Sequence, residues 1–165
     1  MQTTIRFLTK ADEPFLWEAL YHAIYRESGE KPSRSILQKP KIACYVDDWM
    51  EQSDDLGLIA ENEDIPIGAA WLRCWLDDTQ GFGFVGKAIP ELSMSVIPGH
   101  RGKGLGTKLL HRLLVIAEKR YEAVSLSVSK SNPARRLYER EGFVPLQEVE
   151  NSITMVKKFE SKNAV

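Results

Sequence analysis

The chain has 165 residues, of which 43% are hydrophobic and 27% are charged, and its formal net charge is −1. This composition is typical of one globular domain over residues 1–165, and it excludes intrinsic disorder, collagen and coiled coil. We expect no membrane partner, because the apolar stretches are short, and no nucleic-acid partner, because the chain is not basic. We expect a cytoplasmic location, because the sequence shows neither a signal-peptide pattern nor a cysteine framework.

The first half of the sequence predicts helices and strands from the spacing of its apolar residues. Alternating or helically spaced apolar side chains predict a strand at 4–8, helices at 15–24 and 42–50, and strands at 56–60 and 65–76. The polar segment Glu61–Asp64 predicts the turn of a hairpin between the last two strands. Residues 77–87 are rich in glycine and predict a loop or an extended β-ribbon.

The second half alternates strands and helices. Its pattern predicts a strand at 89–97, a helix at 105–117, a strand at 123–128, a short helix at 132–141, and strands at 143–149 and 153–159. The order of all these elements predicts a mixed α/β or α+β domain with one central sheet.

A glycine-rich turn joins the strand at 89–97 to the helix that follows it. Gly102, Gly104 and Gly106 open this helix, where free N–H groups and the helix dipole attract an anion. Arg101 and Lys103 add positive charge, so the turn predicts a phosphate or pyrophosphate site. The sequence departs from the P-loop, since Lys103 is followed by glycine, and the GxGxG spacing departs from the dinucleotide fingerprint.

Charge is distributed unevenly along the chain. Counting Lys and Arg against Asp and Glu, residues 1–90 carry −6 and residues 91–165 carry +5. This division has two interpretations, chance variation on a solvated surface or two ligands of opposite charge.

Two segments carry signatures of a known family. They are Arg101-Gly-Lys-Gly-Leu-Gly106 and the later segment Asn132–Phe143. The first resembles the R/Q-x-x-G-x-G/A motif of the GNAT superfamily of N-acetyltransferases, and the second resembles its N-x-x-A-x-x-x-Y-x-x-x-G-F signature. The resemblance implies a single N-acetyltransferase domain over residues 1–165. Its fold class would be α+β, an α/β sandwich with a mixed, mostly antiparallel central sheet flanked by helices and with splayed fourth and fifth strands.

The resemblance also implies that acetyl-CoA is the cosubstrate, and no spacing of His, Cys or Asp predicts a metal site. In this family the pantetheine arm enters the gap between the splayed strands, which assigns it to main-chain groups of Met94 and Val96. Val96 would also polarise the thioester carbonyl through its N–H. Asn132 would lie beside the pantetheine arm, and it is equally suited to capping the next helix. The pyrophosphate is assigned to Arg101, Gly102, Lys103, Gly104, Leu105, Gly106 and Thr107.

Two residues are candidates for catalysis. The resemblance assigns Tyr138 to the departing thiolate of CoA, as a cofactor contact and as an acid or hydrogen-bond donor, and the alternative role is a core aromatic. Pro90 occupies the position of the base in the histone-modifying members, so the neighbouring Glu91 is the candidate base. Strand alternation places Glu91, Ser93 and Ser95 on one face, and a β-bulge would re-aim Glu91. The alternative for Glu91 is an ordinary surface carboxylate.

These features predict acetyl transfer from acetyl-CoA to a primary amine by direct attack in a ternary complex. One alternative is a non-catalytic acyl-CoA-binding or sensing module on the same fold, because a fold does not fix a function. Another is an adaptor whose aromatic loop mediates dimerisation, which predicts no affinity for CoA. The sequence leaves the acceptor open between a small-molecule amine and a peptide amine, and it leaves a homodimer open.

Overall fold

The computed structural model describes residues 2–51, 54–76 and 79–160. Its strands are β1 Thr3–Phe7, β2 Leu56–Asn62, β3 Ile65–Arg73, β4 Glu91–Val96, β5 Ala123–Ser129, β6 Val144–Val149 and β7 Ser152–Lys158. Its helices are α1 Glu13–Ala23, α2 Pro40–Ala43, α3 Leu105–Ala117 and α4 Ala134–Arg140, with short 3-10 helices at Lys10–Asp12 and Arg34–Gln38. None of the helices in the described ranges has the length and hydrophobicity of a membrane span.

All seven strands form one sheet, in the order β1-β2-β3-β4-β5-β7-β6. Every neighbouring pair is antiparallel except β4 and β5, which run parallel. The predicted class is therefore confirmed: the domain is α+β, with a mixed and mostly antiparallel central sheet.

Each face of the sheet is covered by its own hydrophobic core. On one face, α3 buries Leu109, Leu110 and Leu113 against the strands. On the other face, Leu16 of α1 and Trp49 of the segment that follows α2 are buried together with Trp71 and other residues of β2 and β3. Two opposite helical layers thus hold the central strands in place.

Among the described residues, the parallel pair β4–β5 is joined at a single position. Glu91 pairs with Ser125 there, and the N–H of Ser125 donates to the carbonyl of Pro90 at 3.0 Å. Beyond this point the described residues of the two strands have no further pairing, so the strands diverge toward Val96 and Ser129. This is the splay that the sequence analysis expects.

The predicted second helix at 42–50 is wrong. The helix α2 ends at Ala43, and the chain continues in turns in which Asp48 and Met50 have φ of 57° and 68°. A positive φ is incompatible with a right-handed helix and is unusual for side chains other than glycine. The apolar spacing was correct as a burial pattern, because Val46 and Trp49 are buried.

A buried ion pair explains why this segment is not helical. Arg73 binds Asp55 through its Nη2 at 2.8 Å, and both side chains are almost inaccessible to solvent. Its Nη1 also donates to the main-chain carbonyls of Cys44 and Asp47, and the N–H of Met50 donates to Asp55. These bonds take main-chain groups that a continuing helix would need, so tertiary contacts override the local preference.

We predict that Arg73→Met destabilises the protein by about 3–5 kcal/mol, because it leaves the Asp55 charge buried without its partner. The matched control is Arg6→Met, since Arg6 pairs with Asp12 and Glu61 at the surface, and it should cost under about 1 kcal/mol. Urea unfolding followed by circular dichroism measures both. Equal losses in the two variants would contradict a structural role for the buried pair.

Candidate active site

The gap between β4 and β5 is lined on one side by unpaired main-chain groups of β4. The N–H of Ile97 donates to the carbonyl of Ile67 on β3, whereas the carbonyl of Pro90 accepts the N–H of Ser125 on β5. Because main-chain groups alternate in direction along a strand, those of Met94 and Val96 point away from β3 and into the gap. The structure therefore presents these two residues as strand-like partners for an extended ligand.

The glycine-rich turn adds a cluster of free N–H groups at the beginning of α3. No protein acceptor in the described ranges lies within hydrogen-bonding geometry of the N–H groups of residues 101–107. Gly102 and Gly104 have φ of 79° and 80°, and a Cβ at either position would meet no atom within 4 Å. The turn is thus an open cradle at the positive end of a 13-residue helix, and it fits a pyrophosphate.

The side chain of Arg101 fastens this turn to the rest of the domain. Its Nε donates to the carbonyl of Val96 at 2.7 Å, and its Nη2 donates to the carbonyl of His22 at 3.2 Å. The guanidinium therefore joins the turn to β4 and to α1. It also occupies the Val96 carbonyl and leaves the Val96 N–H free.

Asn132 caps α4, as one of its two predicted roles requires. Its Oδ1 accepts the N–H of Ala134 at 2.9 Å. The amide nitrogen of Asn132 makes no hydrogen bond to the described part of the chain, so it can still donate to a ligand. The capping prediction is confirmed, and contact with pantetheine stays a prediction.

A basic cavity beside Asn132 was not identified from the sequence. It has a volume of about 430 Å³ and is lined by Lys130, Ser131, Asn132, Pro133, Arg135, Arg136 and Glu139. The Nε of Arg135 is buried without a hydrogen-bond partner, since the nearest carboxylate oxygen, on Glu139, is 3.7 Å away. An unpaired donor among three basic side chains fits a phosphate group. The excess of positive charge after residue 90 was the signal for it.

Tyr138 lies in the core and still has a free hydroxyl. Its ring is 9% exposed and packs edge to face on Phe143, with ring centroids 5.9 Å apart. The hydroxyl makes no hydrogen bond to the described residues, and burial raises the pKa of Tyr138 to about 12. The phenol therefore remains protonated at neutral pH, as a donor without an acceptor. Both of its predicted roles are compatible with this position.

Glu91 is not a surface residue, so that alternative is wrong. Its side chain is 3% exposed, and its carboxylate accepts from the Tyr45 hydroxyl at 2.6 Å and from the Trp75 Nε1 at 2.9 Å. Burial raises the pKa of Glu91 to about 7, although these donors oppose the rise. The suggested β-bulge is also wrong, because the β3–β4 register is continuous from Gly68 opposite Val96 to Arg73 opposite Glu91.

The loop before β4 covers the Glu91 carboxylate with glycine backbone. A Cβ at Gly81 would lie 2.3 Å from the Glu91 Oε1, and a Cβ at Gly83 would lie 3.0 Å from its Cδ. The Gly83 position also contacts the β5 backbone, where a Cβ would lie 2.7 Å from the carbonyl carbon of Leu126. These glycines are therefore required by close approach, a function that the sequence analysis did not assign to them.

Metal ligation has no support in residues 2–51, 54–76 and 79–160, where no group of three or more His, Cys, Asp or Glu side chains could hold an ion.

Comparison with known proteins identifies relatives of this arrangement. A family model for the acetyltransferase (GNAT) domain matches residues 53–145. The chain is 32% identical over 145 residues to the L-methionine sulfoximine/L-methionine sulfone acetyltransferase of Salmonella typhimurium, covering 85% of this chain and 79% of that protein. It is 30% identical over 146 residues to the L-amino acid N-acyltransferase MnaT of Escherichia coli, covering 86% of this chain and 79% of that protein.

A solved structure has the same fold. It is yncA, described as a putative acetyltransferase from Salmonella typhimurium with its cofactor acetyl-CoA, and the two chains superpose with a TM-score of 0.68. The sequences are 25% identical, and the match covers 98% of this chain and 96% of that one.

The buried Glu91 predicts a pH-dependent stability. Because its pKa is about 7 in the folded protein and 4.5 ordinarily, the folded state keeps a proton that the unfolded chain loses between these values. Stability relative to Glu91→Gln should therefore fall by up to about 3 kcal/mol as the pH rises from about 4.5 to about 7. Urea unfolding of both proteins across this range measures the difference. Parallel stability curves would contradict a protonated, buried Glu91.

Proposed function

The chain belongs to the acetyltransferase (GNAT) family and is an acetyl-CoA-dependent N-acetyltransferase, and we propose that its acceptor is the amino group of a small amino-acid-like molecule. The observation that supports acetyl-CoA as the donor is the unpaired edge of β4 beside the free N–H groups of residues 101–107. The acceptor class is supported by two relatives, each aligned with more than four fifths of the chain, whose names refer to L-amino acids or their derivatives.

The proposed cofactor site runs along three features of the chain. When bound, acetyl-CoA supplies an activated acetyl group. The N–H groups of residues 101–107 would hold its pyrophosphate, and the main chain of Met94 and Val96 would pair with its pantetheine arm. The free amide nitrogen of Asn132 would donate to the same arm. Arg135, whose Nε has no hydrogen-bond partner and lies 3.7 Å from the Glu139 carboxylate, would bind a phosphate in the basic cavity. Within the described residues, the nitrogen donors named here have no hydrogen-bond acceptor.

Glu91 is the proposed base for the acceptor ammonium. A base is most effective when its pKa lies near the working pH, and the pKa of Glu91 is raised to about 7. Because the carboxylate is 3% exposed, the proton would reach it through a bridging water. The N–H of Val96 would donate to the thioester oxygen as negative charge develops there.

Tyr138 is the proposed donor to the leaving sulfur. Its hydroxyl has no acceptor among the described residues, and its raised pKa keeps it protonated. A thiolate has a lower proton affinity than a phenolate, so Tyr138 would stabilise the thiolate by hydrogen bonding rather than by complete proton transfer.

Three expectations from the sequence stay predictions within this proposal. They are a single domain over residues 1–165, a homodimer and a cytoplasmic location. The sequence leaves the homodimer open, and sedimentation equilibrium of the purified protein decides between the mass of one chain and the mass of two.

The turn at residues 101–107 predicts how a cofactor variant behaves. Gly104→Val should abolish most of the rise in Tm that acetyl-CoA produces, because a side chain at φ 80° displaces the N–H groups of the cradle. Gly29→Val is the matched control, since Gly29 has φ 77° and equally open surroundings away from the turn. Thermal unfolding with increasing acetyl-CoA measures both. A folded Gly104→Val protein with unchanged affinity would contradict the assignment.

The free phenol predicts a selective loss of rate. Tyr138→Phe keeps the ring contact with Phe143 and removes one donor to a thiolate that forms late in the reaction. Both kcat and kcat/KM should therefore fall together, on the order of 10²-fold, while acetyl-CoA affinity is retained. Steady-state kinetics measures both parameters. Tyr121→Phe, which also removes one tyrosine hydroxyl, is the control. Normal turnover with reduced stability would show that Tyr138 is only a core residue.

The proposed function is tested by thiol release from acetyl-CoA with a panel of amines. We expect kcat/KM for free L-α-amino acids to exceed that for polyamines and peptide lysines by about 10-fold or more. Faster turnover of a polyamine or a peptide lysine would contradict the acceptor class. Binding of acetyl-CoA without turnover of any amine would favour the acyl-CoA-binding module instead.

Glu91→Gln tests the base within the same assay. The rate should fall by roughly 10²–10⁴-fold with little change in acetyl-CoA affinity. The acidic limb of the pH–rate profile should disappear, because the variant has no carboxylate to ionise. A wild-type rate and profile would remove Glu91 from the mechanism.

A further inference from the structure

Both oxygens of the Glu91 carboxylate are engaged by aromatic side chains. The Tyr45 hydroxyl donates to Oε2 at 2.6 Å, and the Trp75 indole nitrogen donates to Oε1 at 2.9 Å. The three residues come from separate parts of the chain, and all are less than 10% exposed. Two fixed donors define one orientation for the carboxylate plane.

Tyr45 is itself held from three directions. Its oxygen accepts the N–H of Phe82 at 2.8 Å, and its ring lies edge to face with Trp75 at a centroid distance of 5.2 Å. Arg73 holds the adjacent main chain by donating to the carbonyl of Cys44. Because the Tyr45 oxygen accepts the Phe82 N–H on one side, its own proton points toward Glu91. The hydroxyl also remains a donor throughout the physiological range, because burial raises the pKa of Tyr45.

We propose that Tyr45 is a positioning residue for catalysis, which fixes the Glu91 carboxylate and sets how readily it accepts a proton. The proposal rests on the proposed role of Glu91 as the base. The positioning role also accounts for the turns after α2. A helix continued through this segment would not present the carbonyls of Cys44 and Asp47 to Arg73.

The surroundings of Glu91 make Tyr45 the main side chain that can shift its titration. The titratable and charged groups on the elements packed against it are Tyr45 and Cys44 after α2, and Arg73 of β3, whose guanidinium is bound to Asp55. The loop before β4 contributes the N–H of Gly83, and β5 contributes the uncharged Ser125. Donors to the ionised carboxylate lower its pKa, so loss of the Tyr45 hydroxyl should raise it.

The test is the pH–rate profile of Tyr45→Phe, which keeps the ring and removes the hydroxyl. We expect the acidic limb of kcat/KM to move up by about one pH unit, since a hydrogen bond to a charged group is lost. The rate should fall about 10-fold near pH 6 and return close to that of the wild type near pH 9. The KM for acetyl-CoA should not change. A merely structural role would instead lower the rate by one factor at every pH.

Tyr121→Phe is the matched control, because Tyr121 is a half-buried tyrosine bonded to Cys74 away from the site. Its acidic limb should coincide with that of the wild type. If Tyr45→Phe does not fold, Trp75→Phe removes the other donor, and its acidic limb should move in the same direction. An unmoved limb in the folded variant overturns the proposal.

A carbon-13 NMR titration of the Glu91 carboxyl, without substrate, separates this inference from the proposed function. We expect its pKa to rise in Tyr45→Phe together with the kinetic limb. If the wild-type rate follows the Glu91 titration but Tyr45→Phe leaves that titration unchanged, the positioning role is wrong and the base stands. If the carboxyl titration moves while the pH–rate profile does not, Glu91 is not the base and both proposals fail.

Discussion

The site depends on the single pairing between β4 and β5. A parallel pair bonded along its whole length would satisfy the main-chain groups of both strands, and nothing could enter between them. Here the pairing stops after Glu91 and Ser125, which leaves the N–H groups of Met94 and Val96 and the carbonyl of Met94 without partners among the described residues. Main-chain polar groups without partners are costly, so such a gap favours a molecule that supplies the missing partners. A pantetheine arm with its two amides has the required chemistry.

The remaining parts of the site are arranged around that gap. Arg101 uses its charge to fasten the glycine turn to the end of β4, which places the free N–H groups of residues 101–107 next to the opening. Glu91 lies at the closed end, where the strands still pair, and Tyr138 lies on α4, after β5. One local failure of strand pairing thus brings the free N–H groups of the turn, a buried carboxylate and a phenol to a common region of the sheet.

Features encoded by local sequence were predictable. The GxGxG turn, the apolar face of α3, the hairpin at Glu61–Asp64 and the cap at Asn132 all follow from short-range preferences, and the structure has each of them. Glu63 and Asp64 have positive φ, as a tight hairpin turn requires. The face on which Glu91 lies was also predictable, because alternation along a strand is a local rule.

Features that depend on distant contacts were not predictable in this way. The segment at 42–50 has helical spacing, yet the buried pair of Arg73 and Asp55 takes the main-chain groups that a helix would use. The partners of Glu91 come from positions 45 and 75, and no periodicity relates them to position 91. Arg135 was missed because its sequence looks like an ordinary helix surface, and only the fold buries its Nε beside other basic residues.

Amide hydrogen exchange with and without acetyl-CoA tests the central claim most directly. The N–H groups of Met94, Val96 and residues 101–107 have no acceptor in the part of the chain that the structure describes, so they should exchange quickly in the free protein. Saturating acetyl-CoA should slow exchange at these amides far more than at the amides of β1 or β6. Slowed exchange elsewhere, with these amides unaffected, would contradict the account of the gap and the turn as the cofactor site.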